Sequence, residues 1–263
     1  VYVESLLGIG HGKRIVAIVQ AMQQSGFDVT CVSGSLRVDE SELAGANLIK
    51  LPVVKVKDTQ FTHLVDENGL EINDLWRKKR LETLLNIYNG LLPQVILIEG
   101  FPFSRWQFRF ELIPLIEAAR GRSIIVGSVR DILVTKKNPY RIEQIVNLVQ
   151  KNFDLVLIHG DKSLVEFSKT FPATKKIASK LRYTGYISSS PSQSITDTNL
   201  SKDEVLVSAG GGAVGFKLLS VALEARILGA LSEKIWRFFG GCNLPESQMA
   251  SLLERAEGIE GVF

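Results

Sequence analysis

Gln94-Val95-Ile96-Leu97-Ile98-Glu99-Gly100 is a run of four apolar residues, three of them β-branched, that closes on an acid and a glycine. A short, continuous apolar run of this kind reads as a strand buried on both faces. The same design returns twice downstream. Ser123-Ile124-Ile125-Val126-Gly127-Ser128 is followed by Val129-Arg130-Asp131, and Phe153-Asp154-Leu155-Val156-Leu157-Ile158-His159-Gly160 is the third copy. Helical patterns near residues 107–119, 140–151 and 162–170 lie between or after these strands. Apolar strands spaced by helices predict a doubly wound α/β domain, a parallel sheet with helices on both faces. Ligands of such sheets collect at the carboxyl ends of the strands.

Nearer the start of the chain, Asn73 or Asp74 can cap a helix running to about Tyr88. Its cations Arg77-Lys78-Lys79-Arg80 read as a solvated face. Residues 57–71 are polar and irregular, and Leu48 to Val56 is an extended candidate interrupted by Pro52. Phe27 to Val32 is a further strand, and Ile15, Ile18, Val19 and Met22 mark a helix from about Lys13 to Ser25, stopped by Gly26. Val1 to Val3 is the opening strand. Between that strand and that helix lies Leu7-Gly8-Ile9-Gly10-His11-Gly12-Lys13-Arg14. Glycines at a helix start let the backbone approach an anion, and an imidazole there offers acid–base chemistry. The turn is not a Walker A loop, which needs glycine at Leu7 and a hydroxyl at Arg14. Nor is it a dinucleotide loop, because Lys13 stands where the third glycine belongs.

Beyond the third strand copy, residues 188–203 form a serine-rich linker and a second α/β beginning follows over 204–263. Residues 1–187 are then the first domain. Glu204 to Ala209 reads as strand, Phe216 to Leu228 as helix, Ile235 to Phe239 as strand, Glu246 to Ala256 as helix, and Ile259 onward as strand. Gly210-Gly211-Gly212-Ala213-Val214-Gly215 fits the G-x-G-x-x-G pattern, but the next strand runs into Gly240-Gly241-Cys242 without the acid that holds a ribose. A nicotinamide or flavin dehydrogenase is disfavoured. A diphosphate cradle at Gly210, Gly211 and Gly212 survives.

At 263 residues the chain accommodates two domains, and its formal charge of +3 with no long cationic run gives nucleic-acid binding no support. Cys31 and Cys242 are too far apart in sequence to suggest a disulfide framework or metal cluster, and they fit a reducing, cytoplasmic setting. The sequence carries neither a span of about 18 apolar residues nor a signal peptide. The chain opens inside one strand pattern and stops inside another, so both ends read as cut and the second domain as incomplete. His159 reads as a structural hydrogen-bonding residue and His63 as solvated. In Phe101-Pro102-Phe103-Ser104-Arg105-Trp106-Gln107-Phe108-Arg109-Phe110, the spacing of Phe108 with Leu112, Leu115, Ile116 and Ala119 predicts packing on the sheet. Trp106, Phe110, Arg105 and Arg109 are candidates for a lipid-phosphate acceptor or a peripheral membrane contact.

Two glycine turns, each after the opening strand of one of two successive α/β domains, resemble the two-Rossmann-domain glycosyltransferases called GT-B. More narrowly, Gly8 to Arg14 resembles the G-x-G-H-x-x-R turn of relatives of the lipid-linked N-acetylglucosaminyltransferase of peptidoglycan synthesis. Glu99 to Phe103, Ser128 to Asp131, Thr184-Gly185-Tyr186 and Ser208 to Gly215 look like a predicted-glycosyltransferase branch of that superfamily. The resemblance implies transfer of a sugar from a nucleotide sugar, a UDP-sugar, to an acceptor hydroxyl, with no cofactor and no metal. It implies His11 as the base, and Gly8, Gly10, Arg14, Glu99, Arg130 and Asp131 on the acceptor side. Gly210, Gly211 and Gly212 would hold the donor diphosphate. Family members carry later strands and helices that complete the donor pocket. A hydrolase or epimerase of the same superfamily, or a non-catalytic sugar-nucleotide-binding remnant, are the alternatives.

Overall fold

A computed structural model describes residues 1–6, 10–35, 40–56, 63–135, 138–188, 204–212 and 214–263. The chain divides into two compact units, one holding Val1–Leu6 and His11–Ser190 and the other built on Pro191–Phe263.

The first unit runs α1 (Gly10–Gln24), β1 (Thr30–Ser33), β2 (Asn47–Lys50), β3 (Lys55–Val56), β4 (Leu64–Val65), α2 (Asp74–Leu91), β5 (Val95–Glu99), α3 (Arg109–Ala119), β6 (Ile124–Arg130), α4 (Pro139–Asn152), β7 (Leu155–His159) and β8 (Leu181–Tyr183). β5, β6, β7 and β8 lie side by side and parallel, as do β1 and β2. The opening segment joins the two groups, because Tyr2 bridges to Val32 on one side and to Ile98 on the other. The spatial order is therefore β2, β1, residues 1–3, β5, β6, β7, β8. The chain moves outward from the opening segment to β1 and β2, then returns to lay β5 on its other flank. That reversal is the topological switch point at which such sheets form their ligand crevice.

Strand alternation sorts the core into two layers. Leu97 and Val126 face Ile15, Val16 and Val19 of α1, together with Val3 and Cys31. Ile96, Ile98, Ile125, Val156 and Ile158 face the other way, onto Leu84 and Tyr88 of α2, Leu112, Leu115 and Ile116 of α3, and Ile145 and Val149 of α4. Full burial of each such side chain is worth about 1.5–3 kcal/mol. Asn73 caps α2 by accepting from the Trp76 N–H, as the sequence indicates.

Several local expectations are corrected. Pro52, lacking an N–H, separates β2 from β3, and β3 pairs antiparallel with β4, which lies in the stretch read as irregular. Residues 162–170 form no α-helix. Phe167 and Phe171 instead turn inward to edge contacts with Phe103 at 5.4 and 5.1 Å, leaving a short 3-10 turn at Phe167–Lys169. Arg80 is not solvated but completely buried.

The second unit is a β–α–β–α run: β9 (Glu204–Ser208), α5 (Phe216–Leu228), β10 (Ile235–Phe239) and α6 (Glu246–Ala256). β9 and β10 are parallel, with Glu204 opposite Ile235 and Ser208 opposite Phe239. Leu219, Leu223, Trp236 and Leu244 are its buried apolar residues. The stretch from Ile259 makes one bridge, Val262 to Trp236, in place of a full strand.

Candidate active site

Glu99, Ser128 and His159 stand at or near the carboxyl ends of β5, β6 and β7. Register pairs Glu99 with Ser128 and Ser128 with Leu157. Because strand side chains alternate, all three project to the face covered by α1. α1 begins at Gly10, so His11 lies in its first turn and Arg14 one turn on.

Those placements bring six side chains into one chain of hydrogen bonds. His11 Nδ1 lies 2.9 Å from Glu99 Oε1, and the Arg14 guanidinium donates to the same oxygen. Ser128 Oγ donates to Glu99 Oε2. His159 Nε2 is 2.8 Å from Ser128 Oγ, and His159 Nδ1 is 2.9 Å from Thr184 Oγ1. The carboxylate can only accept, so Nδ1 of His11 carries the proton and Nε2 is left as the basic nitrogen. Likewise Ser128 spends its proton on Glu99 and accepts from His159. His159 is buried and its imidazole is pushed down to about 4, chiefly by that burial, with Arg14 acting the same way against Glu99. It is neutral, with both nitrogens engaged, in the structural role its sequence position suggests.

Burial alone would disfavour the Glu99 carboxylate, but the His11 hydrogen bond, the Arg14 charge and the Ser128 hydroxyl outweigh it and hold the group at about 2. His11 is lowered from its ordinary value by burial, with Arg105 and Arg14 acting in the same direction and Glu99 opposing. The place of His11 in the first turn of α1 acts in the same direction, since a helix N-terminus disfavours a cation. The site is thus an ionised, inaccessible carboxylate under a neutral imidazole. The Glu99 side chain is 1% exposed and that of His11 24%. Of the two groups, the imidazole is the one open to solvent.

The other expected residues are placed differently. Gly8 lies outside the described residues, and Gly10 is the exposed first residue of α1. Arg130 is exposed at the end of β6. Asp131 is buried and committed to the loop, where Oδ1 accepts from the Ile132 N–H at 2.8 Å and Oδ2 from the Tyr186 hydroxyl at 3.3 Å. A Cβ on Gly160 would meet that carboxylate at 2.4 Å, so glycine is required there.

Beside this chain, at the switch point, lies a second cluster that sequence reasoning missed. Arg80 Nε donates to Glu111 Oε2 at 2.7 Å, and its other nitrogens reach Glu111 Oε1 at 3.0 Å, Glu4 Oε1 and the Pro52 carbonyl. The Tyr2 hydroxyl donates to Glu111 at 2.5 Å, and Glu4 also accepts from the Gly34 N–H at 2.9 Å. Arg80, Glu4 and Glu111 are all fully buried. Arg105 connects the two clusters, donating to the Glu4 carbonyl at 2.8 Å while its charge acts on His11.

In the second unit, Gly210 and Gly212 hold φ of +60° and +86°, and Gly241 holds +81°. A Cβ on Gly212 would meet the Gly240 carbonyl at 2.2 Å, and one on Gly241 the Gly210 carbonyl at 2.2 Å. The turns after β9 and β10 therefore press backbone against backbone, which only glycine permits. The Gly210 N–H bonds to Ser208 Oγ and the Gly212 N–H to the Ala209 carbonyl. α5 starts behind Gly215 without a side-chain cap. Among the described residues, no group of three or more His, Cys, Asp or Glu could hold a metal ion, and no helix is long and apolar enough to cross a membrane.

No family profile matches the chain, and no curated protein matches it in sequence. Solved structures do match. MurG of Acinetobacter baumannii superposes with a TM-score of 0.54 at 12% identity, over 100% of this chain and 66% of that one. The calicheamicin glycosyltransferase CalG4 superposes with a TM-score of 0.56 at 16% identity, over 100% of this chain and 68% of that one. The fold is that of the GT-B glycosyltransferases. The chain spans about two thirds of the length of these GT-B structures.

Proposed function

We propose that the protein is a glycosyltransferase that moves a sugar from a nucleotide sugar to an acceptor hydroxyl, with His11 as the base. The observation that carries this reading is His11 at the exposed start of α1 with its Nδ1 held by buried, ionised Glu99. Nε2 accepts the proton of the acceptor hydroxyl. The freed oxygen bonds to the anomeric carbon as the bond from that carbon to the diphosphate oxygen breaks, and nucleoside diphosphate leaves with the electron pair. Glu99 stabilises the imidazolium as it forms. Arg14 and Ser128 fix the carboxylate, and exposed Arg130 is available to an acceptor. Asp131 holds the loop in place rather than touching substrate.

On the donor side, Gly210, Gly211 and Gly212 let the backbone close up to a diphosphate. Because the Gly210 and Gly212 amides are engaged within the turn, the first-turn amides of α5 supply the hydrogen bonds and the favourable dipole. That arrangement requires no metal to offset the departing charge. A UDP-sugar is the donor the sequence resemblance favours. The two free cysteines, buried Cys31 and exposed Cys242, suit a reducing cytoplasm.

Incubation with a panel of nucleotide sugars, with and without hydroxyl acceptors, tests the assignment. The expected result is nucleoside diphosphate release that depends on an acceptor and is lost in His11→Ala. Release of free sugar without acceptor makes water the nucleophile and the protein a nucleotide-sugar hydrolase. Unchanged turnover in His11→Ala removes the base assignment altogether.

A further inference from the structure

A groove of about 560 Å³ lies on the first unit where α3 and α4 both begin. Trp106, Arg109, Asn138, Tyr140, Arg141 and Gln144 are among its walls. Arg141 lies on the indole of Trp106, 3.8 Å from the ring centroid, and that indole also stacks with Phe101 at 5.7 Å. The guanidinium is therefore held over an aromatic face by a cation–π contact. Its Nε is shut off from solvent with no hydrogen-bond partner. Arg109 is close enough for its charge to make Arg141 easier to deprotonate, an effect second to that of desolvation. Arg109 itself donates to the Trp106 carbonyl at 3.3 Å.

Two guanidiniums placed together repel each other unless an anion lies between them. No carboxylate lines the groove among its described residues. The acids nearest in the chain are committed elsewhere, Glu111 to Arg80 and Glu143 to Lys176. The start of α3 supplies no donors of its own, because it continues a 3-10 turn in which the Arg109 N–H already bonds to the Trp106 carbonyl, so the side chains carry the positive charge of the groove. Asn138 and Gln144 supply neutral donors, and Tyr140, 72% exposed, forms a rim. Planar guanidiniums suit oxygens arranged as in a phosphate, which accept from Arg in paired bonds.

We infer that this groove is a binding site for a phosphate group, either of a small phosphorylated molecule or of a lipid headgroup, with Arg109 and Arg141 as its clamp. On the transferase reading that phosphate belongs to the acceptor, because α3 and α4 start at the carboxyl edge of the sheet, where Glu99 also lies. The site itself requires only the groove.

The test uses inorganic pyrophosphate at low salt, read by the indole N–H signals of Trp76, Trp106 and Trp236 in a proton–nitrogen correlation spectrum, with Trp106→Phe giving the assignment. The Trp106 signal is expected to move with half-saturation below about 1 mM. The double variant R109Q/R141Q is expected to weaken that response at least about tenfold, while unmoved Trp76 and Trp236 signals show that both units remain folded. A Trp106 signal that stays still up to about 10 mM overturns the proposal. So does a response that survives intact in R109Q/R141Q. Sedimentation with phosphatidic-acid vesicles, set against phosphatidylcholine vesicles, separates the two sources. Binding to the former that R109Q/R141Q abolishes marks a headgroup, and its absence beside a pyrophosphate response marks a soluble phosphate. None of these readouts involves turnover, so a negative result here leaves His11 and Glu99 untouched, and loss of the transferase reading leaves the groove.

Discussion

Glu99→Gln is the sharpest perturbation of the proposed chemistry, because it removes a charge while preserving shape. In the folded protein the carboxyl is held at about 2 against an ordinary 4.5. At about 1.4 kcal/mol per tenfold, that gap favours the ionised fold by about 3 kcal/mol. The sign follows from linkage. A depressed carboxyl stabilises the fold fully above the unfolded value near 4.5, and that stability is lost as pH falls through about 2. At neutral pH the amide therefore forfeits the whole amount, and it leaves Arg14, 16% exposed, without its counter-charge. The melting temperature should drop by about 6–12 °C. Below the transition, where the variant is folded, His11 loses the group that stabilises its imidazolium. Nucleoside diphosphate release should then fall about 10²–10³-fold in kcat/KM. A folded Glu99→Gln protein within about threefold of wild type would refute the His11–Glu99 pair as the working base. An unchanged melting temperature would refute the charge argument.

The acid limb of kcat/KM should have its midpoint below the ordinary imidazole value of 6.5, because burial and then Arg105 and Arg14 lower His11 more than Glu99 raises it. Arg14→Gln removes one lowering charge, so a pH–rate profile should show that limb moving up; a downward move contradicts the assignment. Arg80→Met should cost about 3–5 kcal/mol in denaturant titrations, since it strands Glu4 and Glu111 in the interior. A loss under about 1 kcal/mol would mean the cluster is not ionised as drawn. Gly241→Ala, with its new Cβ 2.2 Å from the Gly210 carbonyl and φ at +81°, should destabilise the second unit by about 2–4 kcal/mol, and an unshifted unfolding midpoint would contradict the packing of the two glycine turns.

Arg80 shows where reading the chain fails. In sequence it belongs to a run of four cations, and such runs usually face water. On the helix, however, it falls four residues before Leu84 and eight before Tyr88, both buried, so it occupies the inward stripe of α2. The periodicity was present in the sequence, but nothing local says that two carboxylates wait on the far side. Glu4 is 76 residues away and Glu111 is 31. Ser128 is a similar case. Its register opposite Glu99 gives it meaning only once β5 and β6 are paired.

By itself the sequence determined the apolar strands, their spacing by helices, the two glycine turns and the presence of His11, Glu99 and His159 at strand or helix ends. These are local properties, set by side-chain periodicity and by the conformational freedom of glycine. The tertiary structure decided which ends meet. Placing β5 beside the opening segment puts Glu99 beneath the first turn of α1, where burial, Arg14 and Ser128 turn an ordinary acid into a fixed negative charge and leave one imidazole nitrogen facing outward. That outcome depends on distances between residues about ninety positions apart, which hydrophobic pattern cannot encode.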